Sequence, residues 1–203
     1  MARMALLAAT LAAMLIGAAA AGAEDLRPPA AFAGIADPAT RSRALFAEAA
    51  KVLTNPRCLN CHPAGDHPLQ GDDHQLHQPT AWRGESGDGI AGTPCQTCHM
   101  SRTVDLFPGA AASYESIPGH PRWEVAPREM AWEGKSVGEI CRQLKDKARN
   151  GGRDLAMIHQ HLASDDLVAY GWHPGKGRAA APGTQQELGE IIQAWIDTGA
   201  ECP

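Results

Sequence analysis

The sequence predicts a mainly α chain in which short helices are joined by long Gly/Pro-rich loops. Three observations predict it. Capping signals followed by apolar stripes at helical spacing recur early in the chain and again in its last third. Glycine and proline are frequent, 21 and 15 of 203 residues, and cluster between those stripes. Aromatic residues are few, with 5 Trp, 3 Phe and 2 Tyr, so the side-chain core is thin for the length and something else must help to fill it.

The elements follow in chain order. Residues 1–23 read as a secretory signal peptide: Arg3 supplies a positive start, Met4 to Ala20 is an uncharged apolar run, and Ala21-Gly22-Ala23 is a small-x-small cleavage site. Its rival is an uncleaved N-terminal anchor. No later stretch approaches the ~20 apolar residues of a spanning helix. Residues 24–36, with Pro28-Pro29 and no strong period, read as a leader segment. Asp37-Pro38 pairs an N-cap with proline at the first helical position, and Leu45, Phe46, Ala49, Ala50, Val52 and Leu53 form one stripe ending near Asn55-Pro56. From Cys61 to Cys95 and from Arg102 to Lys135 the chain lacks helical or strand period and reads as loop. Ser136-x-x-Glu139 is a capping box opening a helix that Asn150-Gly151-Gly152 stops. A short helix from Asp154 through Leu162, a Gly/Pro loop over 170–182 and a second capping box at Thr184-x-x-Glu187 complete the chain. Leu188, Ile191, Ile192, Trp195 and Ile196 then make the clearest amphipathic stripe, ending at Gly199. Residues 37–135 and 136–203 are thus an irregular region and a C-terminal helical region of one compact domain.

Two pentapeptides in the irregular region carry chemistry: Cys58-Leu59-Asn60-Cys61-His62 and Cys95-Gln96-Thr97-Cys98-His99. Each reads C-x-x-C-H, the attachment signature of c-type haem. Two thiols three apart add to the two vinyl groups of one porphyrin, and the adjacent histidine offers a nitrogen to the iron. Zinc also uses C-x-x-C, but with a second ligand pair at matching spacing and no need of histidine at the next position. A thioredoxin-like redox motif occurs once, beside a βαβ pattern that is missing here. The motifs therefore predict two covalent haems c, held by Cys58, Cys61, Cys95 and Cys98, with His62 and His99 as proximal ligands. The short helices and loops would then be wrapped around these haems.

The sixth ligand decides what such an iron does: a second histidine makes a low-potential carrier, methionine raises the potential, and an open position admits peroxide or oxygen. Among the loop and helix candidates, His77, fifteen residues after His62, is favoured for the first haem, with His74 next. Met130 or His161 is favoured for the second. Trp123 and Trp132 read as core. Cys141 and Cys202 are left over, and an even remainder in an exported chain predicts a disulfide rather than two free thiols. Closing about sixty residues would contribute roughly 4 kcal/mol in the chain-entropy account.

Export also fits the motif, since haem c is attached on an oxidising side such as the bacterial periplasm. Loss of Arg3 from the 18 basic residues, against 23 acidic ones, takes the formal charge from −5 to about −6. An acidic chain is a poor nucleic-acid binder and would steer toward a basic partner.

With both motifs in place the chain resembles a small dihaem c-type cytochrome. The stretches Met130-Ala131-Trp132-Glu133-Gly134-Lys135-Ser136, Cys141-Arg142-Gln143-Leu144-Lys145, Gly171-Trp172-His173-Pro174-Gly175 and Trp195-Ile196-Asp197-Thr198-Gly199-Ala200-Glu201-Cys202-Pro203 resemble a bacterial exported family labelled isoquinoline 1-oxidoreductase subunit. That resemblance implies association with a periplasmic molybdenum hydroxylase, with this chain as an electron-transfer subunit rather than the enzyme itself. The expected function is electron transfer from a partner dehydrogenase or hydroxylase to a terminal acceptor. The alternative is a dihaem peroxidase-like enzyme with one open iron, and a third reading is a structural zinc protein.

Overall fold

The computed structural model describes residues 25–107 and 115–203; the stretch read above as a signal peptide, residues 1–23, lies outside them. Helix α1 (Pro38–Leu53) starts where Asp37 Oδ2 accepts the Thr40 amide at 2.8 Å, with Pro38 in the first turn. Its stripe of Leu45, Phe46, Ala49, Val52 and Leu53 is wholly buried. The short α2 (Pro56–Leu59) is capped by Asn55, whose Oδ1 accepts the Arg57 amide at 2.9 Å. Near the C-terminus lie α3 (Val137–Lys145), α4 (Leu155–Ser164), α5 (Asp166–Ala169) and α6 (Gln185–Asp197). At α3 Ser136 and Glu139 cap each other reciprocally.

The core forms where the two ends of the chain meet. α1 packs along α6, α6 packs on α4, and α3 closes the side. Phe46 of α1 meets Trp195 of α6 with ring centroids 5.0 Å apart and planes tilted by 54°, a favourable aromatic arrangement. A disulfide joins Cys141 of α3 to Cys202 of the tail, with Cα atoms 5.6 Å apart. The tail is held besides by Trp195 Nε1, which donates to the Glu201 carbonyl at 2.9 Å, and by Lys145 Nζ, which donates to the Ala200 carbonyl at 2.7 Å.

Two expectations change. The leader is part of the core: Leu26 and Phe32 are buried, and Arg27 fastens it. The Arg27 amide and Nε donate to the two carboxylate oxygens of Glu48 at 3.0 and 2.9 Å. Burial would raise the Glu48 carboxyl, but the Arg27 amide, Lys51 and the Arg27 guanidinium hold it below its ordinary value. A leader with two apolar anchors has no period to read. Second, α3 ends at Lys145 rather than near Asn150. The buried Asn150 side chain stops it, with Nδ2 donating to the Leu144 and Arg153 carbonyls at 2.7 and 3.0 Å. A side chain that satisfies a last-turn carbonyl ends a helix as a glycine does.

Residues 60–135 contain three two-residue antiparallel ladders, β1 (Leu69–Gln70) with β2 (Gln75–Leu76), β3 (Gly89–Ile90) with β4 (Thr93–Pro94), and β5 (Val104–Asp105) with β6 (Ser116–Ile117). Such ladders are too short to hold themselves. The buried Arg83 ties the loops together instead, donating to the Pro63, Gly65 and Ala126 carbonyls. The described residues are 38% helical, so mainly α fits the two ends of the chain only loosely and its middle not at all. Among the described residues no helix is long and apolar enough to cross a membrane.

Candidate functional site

Both C-x-x-C-H segments fold into a helical turn. At the first, α2 carries Cys58, and the His62 amide closes on the Cys58 carbonyl at 3.1 Å. At the second, a 3-10 turn over Cys95–Thr97 follows Pro94, and the His99 amide closes on the Cys95 carbonyl at 2.9 Å. A helical turn brings residues three and four apart to one face, so each turn presents two thiols and an imidazole on the same side.

The two histidines are held alike. His62 Nδ1 lies 2.6 Å from the Met130 carbonyl, and His99 Nδ1 lies 2.6 Å from the Pro118 carbonyl. A carbonyl only accepts, so each Nδ1 carries the proton and each Nε2 keeps its lone pair. Each ring also stacks on a tryptophan: His62 on Trp132 at 3.6 Å and 8°, His99 on Trp123 at 4.4 Å and 5°. Burial is the first cause that pushes both imidazoles down, to about 4, and keeps them neutral at physiological pH. Burial likewise pushes the Cys58 thiol up to about 12 and the Cys61 thiol up to about 11.

Each turn faces its own cleft. The first cleft is walled by Met130, Trp132, Leu144, Ile158 and Leu162, with Cys58 and His62 also lining it. The second is lined by Cys95, Cys98, His99 and Trp123. Cys61, Glu124, Val125 and Tyr170 line both, so the clefts share a wall. Tyr170 meets Trp123 edge-on at 5.0 Å. Thus the 32 residues between the two pentapeptides fold back to set the second beside the first.

Do these residues suit a thioether-bound porphyrin? That group is a flat apolar disc needing two thiols, an imidazole nitrogen and donors for its carboxylate tails. The apolar walls, the neutral thiols and the free Nε2 atoms meet the first demands. For the tails, the buried Arg57 lines the first cleft: its Nη2 donates to the Gly71 carbonyl at 2.7 Å and to Asp72 Oδ1 at 2.5 Å, while Nε and Nη1 are buried without a hydrogen-bond partner. Those two nitrogens are open to a further acceptor, and a carboxylate supplies one. Among the described residues, no three His, Cys, Asp or Glu side chains converge on a metal-ion site.

The distal candidates fall the other way round from expectation. His77 lines the second cleft, with its ring 5.7 Å from that of His99, while His161 and Met130 line the first with His62. His74 lines neither, its Nδ1 lying 3.2 Å from Asn60 Oδ1. Sequence reading missed Arg57 and Tyr170; its core reading holds for Trp132, a member of the buried core cluster, and not for Trp123. Only the i, i+4 spacing of His161 and Asp165 gave a signal for the carboxylate beside His161. No family profile, curated protein or solved structure matches the chain.

Proposed function

We propose that the chain is an exported dihaem c-type cytochrome that carries electrons, with haem c joined to Cys58 and Cys61 and to Cys95 and Cys98. The observation that carries this reading is the pair of C-x-x-C-H turns facing two clefts with a common wall. When bound, each haem supplies a one-electron iron couple. The protein's own work is to orient and to insulate. The Met130 and Pro118 carbonyls fix the tautomer of His62 and His99 and would leave each Nε2 to hold the iron, Trp132 and Trp123 stack on those rings, and the apolar walls would exclude water. A thioether bears no charge, so the attachment keeps the apolar surroundings that already hold the Cys58 and Cys61 thiols neutral.

Two porphyrins seated on either side of the shared wall would be neighbours, which supports electron passage between them. The rim of the second cleft, where Pro79, Thr80, Thr93 and Cys98 are exposed, is the open side for a protein partner. On this reading the signal peptide is removed after about Ala23 and the chain acts in the periplasm. It receives electrons from an oxidoreductase, a molybdenum hydroxylase by the resemblance above, and passes them to a redox acceptor protein.

The test is a pyridine haemochrome spectrum of the exported protein together with the mass of its peptides. Two haems per chain, with added mass at 58, 61, 95 and 98, are expected. His62→Ala and His99→Ala should each abolish reversible reduction of one haem. A colourless protein containing zinc would replace this reading with the structural-metal one. Rapid peroxide turnover by the two-haem protein would replace it with the peroxidase one.

A further inference from the structure

Of the nine histidines in the chain, four line the two clefts, and they divide two and two: His62 and His161 in the first, His99 and His77 in the second. All four hold Nδ1 against an oxygen. His161 Nδ1 lies 3.1 Å from Asp165 Oδ2, and His77 Nδ1 lies 2.8 Å from the Pro79 carbonyl. These match the 2.6 Å bonds of His62 and His99. A hydrogen bond at Nδ1 fixes the tautomer and leaves Nε2 as the ligand atom, the usual outer support of an iron-bound or zinc-bound imidazole.

From this we infer that both irons are coordinated by two histidines, His62 with His161 and His99 with His77. The inference rests on the dihaem reading above. The spacing agrees with it at the second site. Two imidazoles on opposite faces of one metal, each at about 2 Å, have ring centroids roughly 6 Å apart. His77 and His99 are 5.7 Å apart. At the first site the support is chemical. Asp165 is itself fixed, its Oδ1 accepting the Leu167 amide at 2.9 Å, so α4 and α5 present His161 from a rigid corner.

Methionine offers one competitor, at the first site. Met130 lines that cleft and is buried in the core, while its carbonyl accepts from His62 Nδ1. Met100 and Met157 are about half exposed and line neither cleft. The other five histidines, His67, His74, His120, His159 and His173, line neither cleft as well.

The experiment uses the mature haem-loaded protein. A haemochrome count of two haems per chain comes first and decides the dihaem reading by itself. Next, the reduced protein is exposed to carbon monoxide and the ferric protein is examined by near-infrared magnetic circular dichroism. The wild type is expected to bind no carbon monoxide rapidly and to show a two-histidine signature at both irons. His161→Ala and His77→Ala should each release one iron to a high-spin, carbon-monoxide-binding state, the double variant both, and added imidazole should restore the low-spin spectrum. Pairing is read in Cys58→Ala/Cys61→Ala, which carries only the second haem: His77→Ala should open that iron and His161→Ala should not. Should that variant fail to mature, nuclear Overhauser contacts in the full ferric protein, from each shifted imidazole to the thioether protons of its motif, give the same answer. With two haems counted, any of three results overturns the inference alone. These are rapid carbon monoxide binding by the wild type, a methionine–iron band lost in Met130→Ala, or low-spin iron throughout the histidine double variant.

Discussion

At the scale of single residues, Gly119 shows how closely the second site is built. A Cβ at this position would collide with the Met100 and Arg102 carbonyls, which belong to the chain just after His99. The preceding residue, Pro118, offers the carbonyl that orients the His99 ring. Alanine at 119 must push this backbone away from the 99–102 segment, and the cost of such overpacking is about 1–3 kcal/mol. The displacement acts on His99 and not on His62, whose acceptor, Met130, lies in another segment. Gly119→Ala is therefore expected to lower the midpoint of denaturant unfolding and to shift the potential of one haem while the other stays put. A redox titration in which both potentials move equally, or neither moves, would count against a local role for the Pro118 carbonyl.

At the scale of elements, α3 illustrates a helix whose end is set by one buried side chain just beyond it. Asn150 is 1% exposed and satisfies three main-chain groups: the Leu144 and Arg153 carbonyls and the Arg153 amide, which donates to Asn150 Oδ1 at 2.8 Å. Asn150→Ala leaves these groups buried and short of partners, at a cost of about 2–3 kcal/mol. Because Leu144 walls the first cleft, the variant should also loosen the first haem pocket. Thermal unfolding gives the first effect, and the exchange rate of the α3 amides the second; unchanged protection of α3 would show that its end is fixed elsewhere. This element also marks how far sequence alone reaches. The starts of α1, α3, α4 and α6 were legible because Asp37, Ser136, Asp154 and Thr184 cap through local bonds. The end of α3 was not, because Asn150 acts after the chain has turned back. The closeness of His77 to His99 is hidden for the same reason: the 21 residues between them have to fold back before proximity along the chain stops being the guide. The six residues of the two pentapeptides were legible, since their chemistry is local, whereas Arg57 is marked only by its unpartnered buried nitrogens.

At the scale of the whole molecule, the wall of the first cleft and the core belong to one folding unit. Met130, Trp132, Leu144, Ile158 and Leu162 are members of the buried core cluster and also form the wall of the first cleft. A porphyrin seated there is part of the core on one side, and a ligand that binds only the folded chain adds its binding free energy to folding. The chain with Cys58, Cys61, Cys95 and Cys98 all replaced by serine, which keeps the Cys141–Cys202 bridge, should therefore melt well below the haem-loaded protein. Acid should separate them further. Without iron, His62 and His99 take up protons at about pH 4 in the folded chain but near their ordinary 6.5 once unfolded. The unfolded state then binds more protons across that window, so stability falls as pH drops from 6.5 toward 4. The loss is at most roughly 3 kcal/mol per histidine. In the haem-loaded protein the same Nε2 atoms are engaged by iron, and this slope should be missing. Adding His62→Gln and His99→Gln to the serine variant should flatten the slope as well, because glutamine does not titrate. Unfolding curves of the three proteins between pH 7 and 4 decide the matter: a serine variant with a flat profile would mean that its clefts let water reach both imidazoles, and that the walls do not insulate the site.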